Sequence, residues 1–335
     1  MKRFIFLTLF LLLAVGFIYE MIVSTGVDKI VDALSHISPW ATILFIIVSI
    51  INFMIFTLRW KVILKTHNKN LPSLFTLSLY RLVSYTFSYL IPSGQVGGEP
   101  ARILLLKRKG IPGNIATSSV ILDKVFELSV TSGFSGLALI LVLFNTKEIN
   151  TTSIVAVLVI VSALGFFFYM SVFGEGFFTF FFRILHLEKI KILKKTEQHI
   201  IETEAHIKTF FLTHKIALLN TIILSLICFV MMMVEYYVVL VSMGIHANFT
   251  QLLVVTALPL IGYLIPSPGA IGSLELFQIA AFNIAGIDPT LALPTLIILR
   301  LRDILFLAVG VVVSYKYGFS LIKPKTPEKE QIIDI

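Results

Sequence analysis

Apolar runs about twenty residues long recur along this chain, and no water-soluble core can bury so many of them. Wound as an α-helix, a run of that length matches the hydrocarbon thickness of a bilayer. The runs fall at 4–23, 39–58, 114–144, 154–173, 216–242 and 290–315. Composition agrees: 57% of residues are hydrophobic and 14% charged, against about 25% charged in a soluble domain. The pattern excludes a soluble enzyme, a nucleic-acid-binding domain and a disordered chain. It predicts an all-α polytopic membrane protein with about six full spans. The single Cys228 lies inside an apolar run and reads as a small buried hydrophobe.

The charges set the predicted orientation. A net charge of +8 is collected at the ends of the apolar runs, which is the positive-inside pattern rather than a nucleic-acid surface. Met1-Lys2-Arg3 precedes the first run, which lacks a small-x-small cleavage site and reads as an uncleaved anchor starting in the cytoplasm. Arg59, Lys61, Lys65 and Lys69 follow the second run, with Trp40 and Trp60 near its ends as interfacial anchors. Residues 174–215 carry seven Lys/Arg and five Glu and read as a partly helical cytoplasmic segment along the interface. Lys316, Lys323, Lys325 and Lys329 bring the C-terminus to the same side. One transmembrane domain over 1–323 and a disordered tail over 324–335 are expected, in the plasma (inner) membrane with both termini cytoplasmic.

Two segments do not fit a plain span. Residues 72–91 are apolar around Arg81, yet Arg102, Lys107, Arg108 and Lys109 soon demand the cytoplasmic side again. Between them, residues 92–100 hold two prolines and three glycines, which cannot continue a helix. Residues 250–265 break in the same way at Pro266-Ser267-Pro268-Gly269, and 274–286 return. Tyr89-Leu90-Ile91-Pro92-Ser93 repeats as Tyr263-Leu264-Ile265-Pro266-Ser267. The reading is two re-entrant helical hairpins, one from each side, in an inverted-topology repeat with halves 39–144 and 216–316. Hairpins that span fully as two short helices would leave the sidedness unchanged.

Charges within the apolar segments mark the candidate site, because intramembrane charge is costly. Glu99 and Arg102 are three apart on one helical face beside the first break, Glu275 stands beside the second, and Arg81 lies mid-segment. Unwound backbone at Pro92, Ser93, Gly97, Gly98, Pro266, Ser267, Gly269 and Gly272, with half-helix N-termini, forms a natural phosphate site. Arg81, Arg102 and Arg300 are its counter-charges. The bland alternatives are that Arg102 snorkels, that Glu99 only caps, and that Arg300 and Asp303 form an internal pair. Asp123 and Glu127, four apart, either gate or accept a proton, or simply open a solvated helix; Glu235 and Asp303 join them as gating or proton-coupling candidates. The seven histidines all fall in loops or at segment ends, with His199 and His206 solvated. No catalytic, metal or cofactor motif is recognisable.

Taken together, Arg59-Trp60, Pro92-Ser93, Gly97-Gly98-Glu99-Pro100-x-Arg102, Ser119 and Asp123 resemble the lysylphosphatidylglycerol synthetase transmembrane-region family, often called flippase-like. Pro266-Ser267-Pro268-Gly269-x-x-Gly272-x-x-Glu275 and Arg300 fit the same pattern. The resemblance implies a membrane part that moves aminoacylated phosphatidylglycerol between leaflets, while a separate soluble domain makes that lipid from aminoacyl-tRNA. Residues 174–215 are too short for such a domain, so no lysyltransferase activity is expected. The expected function is a stand-alone flippase for a lipid bearing an anionic phosphate, served by a separate lipid-modifying enzyme. It needs no cofactor, metal or nucleic acid, and a homodimer is compatible with it. A membrane transferase acting on lipid-linked substrate, and a scaffold for an envelope-lipid enzyme, are the alternatives.

Overall fold

The computed structural model describes residues 38–68, 70–91, 93, 96–146, 176–184 and 194–322, with isolated positions between 16 and 28 and between 162 and 174. Apart from those positions, the runs at 4–23 and 154–173 lie outside the described residues, as do Pro92 and the tail 324–335. The described residues are helical, without a strand.

The helix ends follow local chemistry. α1 (Pro39–Lys65) starts on a proline, whose missing N–H costs nothing in a first turn. α2 (Leu74–Leu90) is capped by Ser73, whose hydroxyl accepts from the Thr76 N–H at 3.2 Å. It stops where Ile91 turns extended ahead of Pro92, as the residue before proline favours. α3 (Glu99–Arg108) returns from this break, and α4 (Gly113–Thr146) follows it. Two helices fill much of the charged segment, α5 (Phe177–Ile184) and α6 (Lys194–Thr213), and α7 (Lys215–Ser242) comes directly after. α8 (Phe249–Ala257) opens with a capping box between Asn248 and Gln251. Pro259 begins the short α9 (Pro259–Gly262). A 3₁₀ turn at Pro268–Ala270 precedes α10 (Ser273–Ile284), and α11 (Ala292–Ile322) is the last described helix. Gly269 and Gly272 take positive φ, 58° and 85°, in this second break, the left-handed region glycine enters without penalty.

α1, α7 and residues 113–142 of α4 are long and apolar enough to cross a membrane. α1 runs past the expected end at Leu58 and carries Arg59 and Trp60 inside the protein. Trp60 is therefore not the interfacial anchor expected of it: its ring is fully buried among Leu64, Leu77, Tyr80, Leu105 and Leu106. Trp40, at the other end of α1, is 79% exposed.

Packing joins the early helices to the late ones. α1 and α7 form the most extensive contact, running antiparallel: Phe45 meets Val239 and Leu240, while Arg59 reaches Ser225. α2 packs on α11, and α8 packs on α4. Each returning helix, α3 or α10, lies against the entering helix of its own hairpin and against the long helix that follows it. Close approach inside the first hairpin depends on Gly98. A Cβ there would lie 1.8 Å from the Ser84 carbonyl oxygen and 2.6 Å from Ser88 Oγ.

α6 docks on the bundle. Ile207, Phe210 and Phe211 on its apolar face pack against Leu122 and Phe126 of α4 and Ile63 of α1. Glu204 accepts from the Phe178 and Thr179 N–H groups at the start of α5. His206 is half-buried, not solvated, and its ring meets His67 edge-on at 4.7 Å; His214 sits 5.4 Å from His67 on another side. Loss of water, then the two neighbouring imidazoles, push the His67 imidazole down to about 4.

Two outcomes follow. Gly98→Ala must push α3 off the α2 backbone and should lower the melting midpoint in detergent sharply, a cost of about 1–3 kcal/mol or more. Gly133→Ala, where a Cβ would meet nothing within 4 Å, should leave the midpoint unchanged or slightly raised. For His67, the unfolded imidazole binds a proton near pH 6.5 and the folded one only near 4, so the unfolded chain holds more protons between them. Stability should fall as pH drops through that window and level off below it. Melting curves of His67→Gln should show a shallower acid slope than wild type over that range.

Candidate functional site

A cavity of about 220 Å³ opens among the helices, with walls from both early and late elements. Asn52 of α1, Arg81 and Tyr85 of α2, Lys124 of α4, Glu235 of α7 and Arg302 of α11 all face it. Two groups of charged side chains border it.

The first group is built around Asp123 on α4, which is fully buried. Its carboxylate accepts from Arg59 Nε at 2.9 Å, from Arg81 Nη1 at 2.8 Å and from Arg102 Nη1 at 2.8 Å. Those arginines belong to α1, α2 and α3, so one carboxylate ties four helices together. Glu127, one turn further along α4, takes Arg81 Nη2 at 2.9 Å, Arg59 Nη2 at 3.4 Å and Lys124 Nζ at 2.6 Å. Glu99, at the first turn of α3, pairs with Arg102 and lies 3.8 Å from Lys124 Nζ, and Ser84 Oγ donates to it at 3.2 Å. Aromatic faces cover the guanidinium planes: Phe56 lies 5.0 Å from both Arg59 and Arg81, and Trp60 lies 4.9 Å from Arg102. A lone carboxylate in this interior would be prohibitive, and one surrounded by planar, multidentate donors is not.

The second group joins α11 to α7, α1 and α2. Arg302 pairs with Glu235 and, at 2.8 Å, with its neighbour Asp303. Asn52 Nδ2 donates to Glu235 at 3.1 Å, and Tyr89 Oη donates to Asp303 at 2.7 Å. Tyr85 and Tyr263 also line the cavity beside this group. Both tyrosines of the repeated Tyr-Leu-Ile-Pro-Ser segment thus stand at the cavity, Tyr89 and Tyr263 alike.

Arg81, Glu99, Arg102, Asp123 and Glu127 all fall in the first group, and Glu235 and Asp303 in the second. Arg102 is buried rather than snorkelling, and Asp123 is no solvated helix start. Glu275 and Arg300 pair with each other behind the second break, where Arg300 Nη1 also donates to the Gly269 carbonyl at 3.2 Å. The Arg300–Asp303 pairing considered from spacing gives way to these partners. Ser93, Gly97, Pro266, Ser267, Gly269 and Gly272 belong to the breaks and not to the cavity wall. Ser93 Oγ donates to the carbonyl of Ile91 at 3.2 Å, and Pro266 is exposed. Nor are the helix starts open to a phosphate. Glu99 sits in the first turn of α3, and Glu275 accepts from the Gly272 N–H at 2.7 Å ahead of α10. Each carboxylate occupies the end of the helix dipole where an anion would bind.

Arg59, Lys124, Arg302, Asn52, Tyr85, Tyr89 and Tyr263 join the site without being candidates for it by sequence, although Arg59 belongs to the family pattern and Tyr89 and Tyr263 to the repeat. Arg59 was hidden by its place in a basic run at a helix end, where flanking cations normally meet water. Tyr89 and Tyr263 carried a signal in their repetition, and Tyr85 carried none. Asn52 carried none.

A family model described as the lysylphosphatidylglycerol synthase TM region matches residues 5–310. A UPF0104 membrane protein of Methanothermobacter thermautotrophicus is 23% identical over 324 residues, covering 92% of this chain and 94% of that protein. A 33% identical match to a UPF0104 membrane protein of that organism covers 142 residues, 42% of this chain and 40% of the relative. A UPF0104 membrane protein of Methanocaldococcus jannaschii is 31% identical over 126 residues, 37% of each chain. In the two shorter matches the chain therefore spans about two fifths of its relative. With the family model matched along most of its length, this chain belongs to the lysylphosphatidylglycerol synthase transmembrane-region family of membrane proteins.

Proposed function

We propose that this protein is a lipid translocator, passing a phospholipid or lipid-linked headgroup from one leaflet to the other through the charged cavity, and that it is not itself a synthetase. The observation that carries this reading is the cavity itself: three of its walls, α1, α4 and α7, are long and apolar enough to cross a membrane, and two ion-pair groups border it. Buried charge at this density is expensive, and a polar headgroup crossing the bilayer is the cargo that needs it. The family's name refers to lysylphosphatidylglycerol, which makes aminoacylated phosphatidylglycerol the first lipid to try. A separate lipid-modifying enzyme would supply it. The reading places the protein in the plasma membrane with both termini in the cytoplasm.

An inverted-topology repeat is part of the proposal. The starts of α1 and α7 (39 and 215), of α2 and α8 (74 and 249) and of α3 and α10 (99 and 273) keep a nearly constant separation. Exchanging the two halves converts the α2–α11 contact into α8–α4 and leaves α1–α7 unchanged, and all these contacts occur. Charged positions correspond as well: Glu99, Lys124 and Glu127 match Glu275, Arg300 and Asp303 in spacing, and in both sets the glutamate lies close to the basic residue. Rocking one half against the other would then expose the cavity to each leaflet in turn.

Two experiments test this. Vesicles containing the purified protein should bring an acyl-labelled phospholipid into reach of an external quencher faster than protein-free vesicles. No acceleration with anionic, aminoacylated or polyprenyl lipids would refute transport. Cysteines placed singly at Lys109 and Asp288 in a Cys228→Ser background should label from opposite faces of the membrane, Lys109→Cys from the cytoplasm. Labelling of both from one side would remove the inverted repeat.

A further inference from the structure

The two ion-pair groups carry opposite excess charge. Resting on the transport reading above, we propose that the cargo headgroup is zwitterionic, with its phosphate held at the Asp123 group and its ammonium at the Glu235–Asp303 group. On the cavity wall, Arg81, Arg102 and Lys124 stand against Glu99 and Glu127, a formal excess of one positive charge. At the other group, Glu235 and Asp303 stand against Arg302, a formal excess of one negative charge. Adding the buried Arg59 and Asp123 behind the first group changes neither balance.

The two ends are spatially distinct. Asn52, bonded to Glu235, and Arg59 are seven residues apart on α1. Tyr89, bonded to Asp303, and Arg81 are eight apart on α2. Glu235 and Ser225, which Arg59 reaches, are ten apart on α7. At the helical rise this is roughly 10–15 Å on each of three helices. The cavity is therefore a dipole with a separated positive and negative end.

Of the polar atoms at the negative end, one can only accept and another can accept as well as donate. Asn52 commits its Nδ2 to Glu235, which leaves Oδ1 an acceptor. Asn52 Oδ1 and Ser49 Oγ are both buried without a hydrogen-bond partner, on residues only 4% and 2% exposed that line the cavity. An ammonium brings three donors and would satisfy both, with the Tyr85, Tyr263 and Phe306 rings of the same wall adding cation–π attraction. An anionic lipid answers one end and leaves the carboxylate excess unmatched. A cationic lipid without phosphate does the reverse.

The test compares three acyl-labelled lipids in vesicles holding the full chain: phosphatidylethanolamine, phosphatidylglycerol and a phosphate-free diacyl trimethylammonium lipid. Phosphatidylethanolamine should cross about tenfold faster than either of the others. Glu235→Gln, which cancels the negative excess, should bring the phosphatidylethanolamine-to-phosphatidylglycerol ratio toward one. Lys124→Gln should favour the phosphate-free lipid relative to wild type. A second readout does not need transport: glycerophosphoethanolamine should raise the melting midpoint of the detergent-solubilised protein more than glycerophosphate or ethanolamine alone. Phosphatidylglycerol crossing as fast as phosphatidylethanolamine in wild type, or equal melting shifts from the three small molecules, would overturn the zwitterion assignment. A clear melting preference with no lipid movement would overturn transport and leave the assignment of the headgroup standing. The wild-type comparisons decide the matter even if a variant fails to fold.

Discussion

Asp123 is the contact on which the first half of the bundle depends. Its two oxygens and backbone carbonyl receive guanidinium groups from α1, α2 and α3, and no hydrophobic contact among these helices has the same directional content. Removing one partner of a buried ion pair typically costs about 3–5 kcal/mol, and here one carboxylate has three partners. The arrangement fixes the rotation of each helix about its own axis, because each arginine must point at one spot. The apolar packing around Trp60 and Leu106 then closes over a geometry that the charges have set.

The second half solves the same problem with the signs exchanged. Arg59 and Glu235 stand at the same distance from the first residues of α1 and α7, Pro39 and Lys215. Where α1 supplies a cation to carboxylates on α4, α7 supplies a carboxylate to a cation on α11. A plain duplicate of one ion-pair group would have made both ends of the cavity alike. The exchange leaves one end positive and the other negative, and the Asn52–Glu235 hydrogen bond across the α1–α7 contact couples the two halves at their seam.

The all-helical membrane class and the two helix breaks were legible in the sequence because they are written in local signals. Proline and glycine mark both breaks, and apolar runs mark α1, α4 and α7. The charged residues beside the breaks were legible as candidates for the same reason. Their partners were not. Asn52 and Glu235 are 183 residues apart, and Tyr89 and Asp303 are 214 apart, so neither pairing leaves a trace in spacing or periodicity. Arg59 and Trp60 were misread because a basic–aromatic pair at a helix end normally signals an interface; the covering α2, α3 and α4 make it core instead. The glycine-rich breaks invited a phosphate site at the half-helix starts, but Glu99 and Glu275 already occupy that favourable position. The polar groups facing the cavity are therefore side chains that the breaks allow to converge, not the breaks themselves.

That placement changes how selectivity can arise. An open ring of helix N-termini would accept any anion, whereas a cavity whose cations already hold carboxylates accepts only a group that replaces those carboxylates well. On the transport proposed above, a headgroup entering the cavity would have to loosen pairs such as Lys124–Glu127 at 2.6 Å or Arg302–Asp303 at 2.8 Å. A buried charge released without a new partner costs far more than the net worth of the pair it left. A headgroup that matched both ends would offset both releases, and one that matched a single end would leave the other group's excess charge unanswered in a medium of low dielectric. Discrimination by unanswered charge exceeds what an apolar pocket of similar size can supply. The ion-pair network therefore holds the helices together, and on the proposed transport it would also set the terms on which a headgroup enters.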